Sequence, residues 1–422
     1  MADTTISSEV LTTVDGTPLK VSLQRALARN RRRALMLAAP LLVFISIAFV
    51  VPIIDMLYRS IENSVVEEVL PNAVVALADW DAESGETPPE AVFAALHKDV
   101  VKGFKLKTLG KLARRLNYDK PGMSSLFRKS GRRSKKMTGP NFRDQFLKID
   151  KKWGDVTVWS LIKRESDIVT ASYFLAAVDM RYSEKGEMTA QPEERQIYGN
   201  LFLRTILMSI GITFLCLLLG YPVAYLLSTL PMKTSSLLMI LVLLPFWTSL
   251  LVRTTSWIAL LQTQGILNDL LVFVGFLSDD GRVQLIHNKI GTFVAMTHIL
   301  LPFMILPLYS VMKTIPPSYM RAARSMGANP ALAFIRVYLP QTVPGIGAGG
   351  ILCFILAIGY YITPALVGGQ SGTFISNFIA DHVSTTLNWG LAAALGVILL
   401  GIVLFMYFLY DKIVGINNMK LG

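Results

Sequence analysis

Few side chains in this sequence are placed to do chemistry. Asp55, Arg204, Arg253, His298 and Asp411 are the ionisable groups inside, or at the ends of, long apolar runs. A charge in such a run either faces a protein-lined cavity or reaches for the membrane interface. Interface placement is the expectation for these groups, with Arg253 as the exception, because it sits deep in "FWTSLLVRTTSW". Cys216 and Cys353 also fall in apolar runs and read as small buried apolar residues. No disulfide framework or metal-finger spacing is present. There is no G-x-x-x-x-G-K-[ST] phosphate loop, so the chain is expected to hydrolyse nothing itself. No catalytic residue and no metal ligand are expected.

One polar stretch stands apart. Residues 321–340 read "RAARSMGANPALAFIRVYLP" and lie between two apolar segments. Pro316 and Pro317 end the preceding run, and Ser318 is the expected N-cap of a short helix through about Met326. Gly327 suits the left-handed residue that closes it. Asn329 can cap a second helix with Pro330 at its first position, running to about Leu339, where Pro340 ends the motif. Ala322 and Ala323 would permit close approach by another protein, with Met326, Leu332, Phe334 and Ile335 as apolar anchors. The alternative is a surface elbow that merely re-enters the membrane.

The elements around this hairpin are built for lipid. Apolar residues form 52% of the 422 and charged residues only 17%, with a mean hydropathy of +0.48. Soluble domains carry roughly 25% charged residues. Six segments approach the ~20 apolar residues needed to cross the hydrocarbon: 34–58, 203–228, 236–262, 290–312, 343–367 and 391–412. The first is too long for a signal-peptide core and reads as a retained helix. The net charge is +12, but residues 98–164 alone carry +15. That basic region belongs to a polar stretch, 59–202, large enough for a small domain. Helices are expected in its "PPEAVFAALHKDVVKGFKLKTLGKLARRL" and in "VTVWSLIKRESDIVTASYFLAAVDM", the latter ending before a charged turn, "RYSEKGE". Trp80, Phe104, Tyr118, Phe127, Phe142, Trp153 and Trp159 could form its core. A positive surface there would attract an acidic protein or anionic headgroups.

Short loops carry the orientation signal. Arg25, Arg29, Arg31, Arg32 and Arg33 precede the first span, Lys233 lies between the second and third, and Lys313, Arg321, Arg324 and Arg336 lie between the fourth and fifth. Lys412 and Lys420 close the chain, and the connection before the last span has no Lys or Arg. The positive-inside rule then puts both termini and the hairpin in the cytoplasm. The basic stretch 59–202 falls outside, where nucleic acid is not an expected partner.

The hairpin's Ala322-Ala323, Gly327 and Leu339-Pro340 resemble the EAA loop of binding-protein-dependent ABC importer permeases. "GYPVAYLLSTLP", "LLPFWTSLLVRTTSWIALLQTQGILND", "GYYITPALVGG" and "NWGLAAALGVILL" resemble the spermidine/putrescine (polyamine) branch of that family. The resemblance covers about 200–415 plus the first span. With the six apolar segments and the polar stretch 59–202, the expectation is an all-α integral membrane protein of six transmembrane helices, with a large, mainly helical extracytoplasmic insert between the first two. The layout is then a cytoplasmic tail (1–33), a first helix (34–58), a basic insert (59–202), a five-helix permease core (203–412) and a cytoplasmic tail (413–422).

The resemblance also implies a division of labour. Ser318, Arg321, Ala322, Ala323, Gly327, Leu339 and Pro340, within the loop 313–342, would couple to a separate cytoplasmic ATPase dimer that uses ATP and Mg. Arg253, Trp257 and Tyr360 are candidates for the translocation path. A second permease subunit, identical or different, a periplasmic substrate-binding protein, membrane lipid and a small-molecule substrate are the other expected partners, in a bacterial inner membrane. Arg321 departs from the family's usual glutamate, which would have formed a capping box with Ser318. A stand-alone secondary transporter or channel is the alternative, and it leaves the EAA-like loop without a purpose.

Overall fold

A computed structural model describes residues 19–183 and 186–414. The expected tails 1–33 and 413–422, with Lys420, therefore lie wholly or partly outside the described residues. The chain divides into two compact units, 1–58 and 59–422.

The described part of the first unit is one long helix: α1 (Leu19–Ile45), a π turn (Ser46–Val50) and α2 (Val51–Arg59). The stretch Ala26–Arg59 is long and apolar enough to cross a membrane. The π turn ends two residues before Pro52. Proline has no N–H to donate, and its ring presses on the carbonyl four residues back, so a wider turn relieves both problems.

The second unit begins with the polar stretch, which folds into a helical domain. Its helices are α3 (Val65–Val69), α4 (Pro71–Leu77), α5 (Glu90–Lys105), α6 (Leu109–Asp119), α7 (Met123–Ser134), α8 (Phe142–Ile149), α9 (Val156–Arg164) and α10 (Ser172–Ala177). A short antiparallel hairpin follows, β1 (Met180–Tyr182) on β2 (Met188–Ala190). Trp153 and Trp159 are fully buried at the core's centre among Phe93, Phe127 and Phe146. Both indole N–H groups are satisfied, Trp153 donating to Ser130 Oγ and Trp159 to the Trp153 carbonyl, each at 2.9 Å. Of the expected aromatic core only Tyr118 stays outside, 38% exposed.

Two expected helices are broken. The first divides at Leu106–Thr108, where Lys107 has φ +61°. The second divides between α9 and α10, because 168–170 runs extended beside Ile61 and Asn63 and exchanges backbone hydrogen bonds with them. The expected charged turn begins within β1 and runs up to β2, with Glu184 and Lys185 outside the described residues.

Beneath the aromatic core lies a charged cluster. Arg115 donates to Asn63 Oδ1 at 2.9 Å, to Asp119 and to Glu165, and stacks over Tyr173 at 4.7 Å. Glu165, wholly buried, also accepts from Asn63, Arg164 and Ser172. Burial opposes the Arg115 charge, but Asp119 and Glu165 outweigh it and hold the guanidinium's pKa above its ordinary value.

The domain grips the next helix, α11 (Tyr198–Thr229), by one carboxylate. Asp179, itself at φ +59°, accepts from the backbone N–H of Ile197 and Tyr198 at 3.0 Å and of Gly199 at 2.7 Å. Three otherwise orphaned donors at a helix N-terminus are met by one anion. Asp179→Ala is therefore expected to cost about 1–2 kcal/mol, read as a lower thermal unfolding midpoint of the full chain in detergent. Asp179→Asn should retain part of that stability.

The apolar core continues with α12 (Met232–Leu243), α13 (Leu250–Leu261), α14 (Ile266–Phe273), α15 (Lys289–Thr314), α16 (Ser318–Ser325), α17 (Pro330–Ala333), α18 (Leu339–Gly359), α19 (Ile362–Val367), α20 (Gly369–Gly372), α21 (Ile375–Ser384) and α22 (Trp389–Val414). Helices α11, α15 and α18 pack together around Cys216, Met296, Leu300, Met304 and Cys353, all fully buried. Gly349 permits this approach. A Cβ there would stand 2.8 Å from Met304 Sδ and 3.1 Å from the Met304 carbonyl. Both cysteines are free and buried, as expected, with their Sγ atoms directed at the carbonyls of Thr297 and Leu300.

Among the described residues five helices are long and apolar enough to span: Ala26–Arg59, Tyr198–Thr229, Lys289–Thr314, Pro330–Gly359 and Trp389–Lys412. The expected span 236–262 is instead a pair, Met232–Trp247 and Leu250–Phe273, bent by 94°. Pro245 turns the chain into a 3-10 stretch, Thr248 is extended, and Ser249 caps the second arm by accepting from the Val252 N–H at 3.1 Å. The expected span 343–367 starts earlier, at Pro330, and ends at Gly359, since Tyr360 is extended.

Candidate functional site

The hairpin forms as a helix, a glycine turn and a helix. Gly327 has φ +91°, and the Ala328 N–H donates to the Ala323 carbonyl at 3.1 Å while the Gly327 N–H donates to Arg324 at 3.0 Å. That pairing is a Schellman close. Asn329 Oδ1 accepts from the Leu332 N–H at 2.7 Å, with Pro330 first in α17.

Two expectations about its ends need correction. Ser318 does not cap α16; Pro317 holds that position and makes no side-chain bond, because the helix starts at Ser318 itself, one residue earlier than a serine cap would require. Pro340 does not end the motif either. The chain passes from α17 through a π turn (Phe334–Tyr338) straight into α18, and Pro340 sits in its first turn. The widened turn removes the demand for the proline's missing N–H, as it does before Pro52.

The hairpin has one face turned in and one turned out. Ala323 is only 4% exposed, and Ala333 and Tyr338 are buried. Ala323 is therefore packed within this chain rather than offered to another protein, whereas Ala322 is exposed. Phe334 also turns inward. It meets Tyr221 and Tyr225 edge-on at 6.2 and 5.6 Å and stacks on Tyr338 at 5.5 Å. Lys313 Nζ donates to the Ser228 carbonyl at 3.2 Å. These contacts fix the hairpin to the last turns of α11 and to α18. Left outside are Tyr319, Met326 (82% exposed), Leu332 and Ile335, with Ser318, Arg321, Arg324 and Arg336 around them. Leu339 is half-buried.

The second group of expected residues lies along the bent pair. Arg253 and Trp257 are one helical turn apart on α13 and so share a face. The Trp257 indole N–H donates to His298 Nδ1 at 3.2 Å, ring edge to ring face. An indole nitrogen only donates, so Nδ1 is the bare nitrogen of that imidazole. Arg253 is near enough for its charge to be felt at both His298 and Tyr360, and its Nε is buried without a hydrogen-bond partner among the described residues. Tyr360 stands at the break between α18 and α19. Its carbonyl accepts from Ser376 Oγ, and that of Tyr361 from Asn377 Nδ2, both at 2.7 Å. Broken backbone at membrane depth must be satisfied in this way. The structure thus joins Arg253, Trp257 and Tyr360, and adds His298, which the sequence placed at an interface. Trp257 and His298 lie far apart in sequence, so their pairing had no signal there. Ser376 and Asn377 were missed for the same reason.

Residues 217–414 match the family described as binding-protein-dependent transport system inner membrane component. The chain is 36% identical over 220 residues to the spermidine/putrescine transport system permease protein PotB of Haemophilus influenzae, covering 51% of this chain and 76% of that one. The chain belongs to this family of inner-membrane permeases. It is 34% identical to PotB of Escherichia coli, over 50% of this chain and 77% of the relative. It is 32% identical to the inner membrane ABC transporter permease protein YdcU of the same organism, over 51% and 72%. Among solved structures, a bacterial ABC transporter involved in the import of the acidic polysaccharide alginate aligns with TM-score 0.41 and 21% identity, over 53% of this chain and 81% of that one. The permease is accordingly a multi-pass protein of the inner membrane, and the matched segment, 217–414, lies wholly outside the domain at 59–197.

Proposed function

We propose that this permease carries polyamines, or related small amines, through the inner membrane in an importer driven by a separate ATPase dimer. The observation that supports this reading most is the outward face of the α16–α17 hairpin. Exposed Tyr319, Met326, Leu332 and Ile335 among Arg321, Arg324 and Arg336 suit a groove with an apolar floor and acidic walls. The inward face, through Phe334 and Tyr338, would pass movement of that groove to α11 and α18. Arg321, where glutamate is usual, then meets an acidic position on the ATPase. ATP and Mg are used by that partner.

In this reading the bent pair counts as one span, giving six. The domain at 59–197 is an extracytoplasmic insert, and both termini and the hairpin are cytoplasmic. Arg253, Trp257, His298 and Tyr360 line the path. Since Arg253 in the path would repel an amine, substrate selection rests with a periplasmic binding protein. A second permease subunit, identical or different, completes the pore, and lipid surrounds it. The amine class is supported by the names of the PotB relatives.

Single cysteines at exposed Ser125 and exposed Ser325 are expected to react with an impermeant thiol reagent from opposite sides of the inner membrane. Reaction of both from the cytoplasmic side would end this topology. The function itself is tested by reconstituting the permease with its ATPase, pore partner and binding protein. Uptake of labelled putrescine or spermidine should require ATP. Uptake by the permease alone, driven by an ion gradient, would favour a secondary transporter.

A further inference from the structure

A cavity of about 310 Å³ lies within the second unit, at the seam between the helical domain and the ends of α11, α21 and α22. The size is at the lower end of small-molecule sites. Tyr118, Tyr173, Tyr182 and Tyr198 contribute to its walls, with the carboxylates of Asp119 and Glu194. Asp119 also borders a second cavity on the far side of Tyr182.

The charges in this seam are unevenly satisfied. Glu165 accepts hydrogen bonds from Asn63, Arg115, Arg164 and Ser172. Asp119 receives a single one among the described residues, from Arg115, and a carboxylate has room for about four. Arg115 is already shared with Glu165 and Asn63 and lies over Tyr173; Arg164 pairs with Glu165 and lies over Tyr182. The lining thus pairs an under-served carboxylate with aromatic faces, both of which attract an ammonium group. Arg181, Arg195 and Glu194, which also border the cavity, are all exposed, so solvent screens the charge of each alike and leaves Asp119 as the dominant anion of the site.

We propose that this cavity is a binding site for a small aliphatic amine, separate from the transport path, with the ammonium hydrogen-bonded to Asp119 and enclosed by the tyrosine rings. Glu194 receives the other end of a diamine. Because the walls come from both the helical domain and the ends of α11, α21 and α22, the bound amine ties the two together. The site does not depend on what the permease transports.

The test uses the full-length permease in detergent and 1,4-diaminobutane as the probe, read by calorimetry and thermal shift, with glutamate and glycine betaine as comparators. The wild type is expected to bind the diamine in preference to both. Asp119→Asn should weaken binding at least tenfold. Glu194→Gln, at an exposed side chain, and Tyr118→Ala should each weaken it about threefold or more with folding intact. Val75→Ala, at an exposed residue of the helical domain that lines no part of the cavity, should leave it unchanged. No binding by the wild type, a preference for glutamate, unaltered affinity in Glu194→Gln and Tyr118→Ala, or loss in Val75→Ala would each overturn the proposal. If Asp119→Asn fails to fold, the other two lining variants decide. Failure here leaves the transport reading intact, which the reconstituted uptake assay tests on its own.

Discussion

Replacing Gly327 by valine is expected to lower transport by the assembled importer at least tenfold, with membrane insertion unchanged. The reason is backbone geometry alone. A Cβ at Gly327 would meet no atom within 4 Å, so there is no collision to relieve. What valine cannot do cheaply is hold φ +91°, a left-handed conformation costing an L-residue roughly 1–2 kcal/mol and a β-branched one more. Relief comes by opening the Schellman close, which swings α16 against α17. Met326 and the arginines then leave the face proposed to meet the ATPase, while Phe334 stays wedged against Tyr221 and Tyr225. The effect should be graded. Asparagine tolerates positive φ best and should be mildest, alanine intermediate, valine worst. The measurement is binding-protein-stimulated ATP hydrolysis in nanodiscs, with uptake in parallel. Wild-type values for the valine variant would reduce the hairpin to an elbow.

Much of this hairpin was legible because its signals are local. Gly327, Asn329 and Pro330 each satisfy a need created within four residues of themselves. The errors arose where the need is longer in range. Pro340 reads as a stop until one sees the π turn ahead of it, and that turn is set by Phe334 and Tyr338 packing on α11. Ala323 reads as a docking residue because it is small. Its smallness in fact serves this chain's own packing, a distinction that depends on which way the helix faces.

The bent pair teaches the same lesson. Pro245 and Ser249 are turn and cap residues in plain view, yet "LLPFWTSLLVRTTSW" is apolar enough to pass as one span. Hydropathy averages over the break that the two residues encode. The helical domain was less legible still. Its aromatic residues pointed to a core, and six of the seven named do enter or border it. The Arg115 cluster did not show, since Asn63, Arg115 and Glu165 are brought together from positions 50 or more apart.

That cluster is where the second large effect is expected. Arg115→Leu should destabilise the helical domain by roughly 3–5 kcal/mol, the cost of leaving a buried charge without its partner. Glu165 is fully buried and would keep, among the described residues, Arg164, Asn63 and Ser172, while Asp119 would lose its hydrogen bond from Arg115. A domain's whole stability is about 5–15 kcal/mol, so a loss of this size should be visible in the full chain as early exposure of Trp153 and Trp159. Their emission should shift to the red at lower denaturant than in the wild type, and proteolysis between 59 and 197 should quicken. The double variant Arg115→Leu/Glu165→Leu is expected to lose less than the sum of its singles, because removing both charges avoids stranding either. Asp119 remains unpaired in that double variant, so recovery should be incomplete. Strict additivity, or an Arg115→Leu midpoint within 0.5 kcal/mol of wild type on the scale of surface substitutions, would mean that the cluster is solvated in the protein and does not hold the domain together.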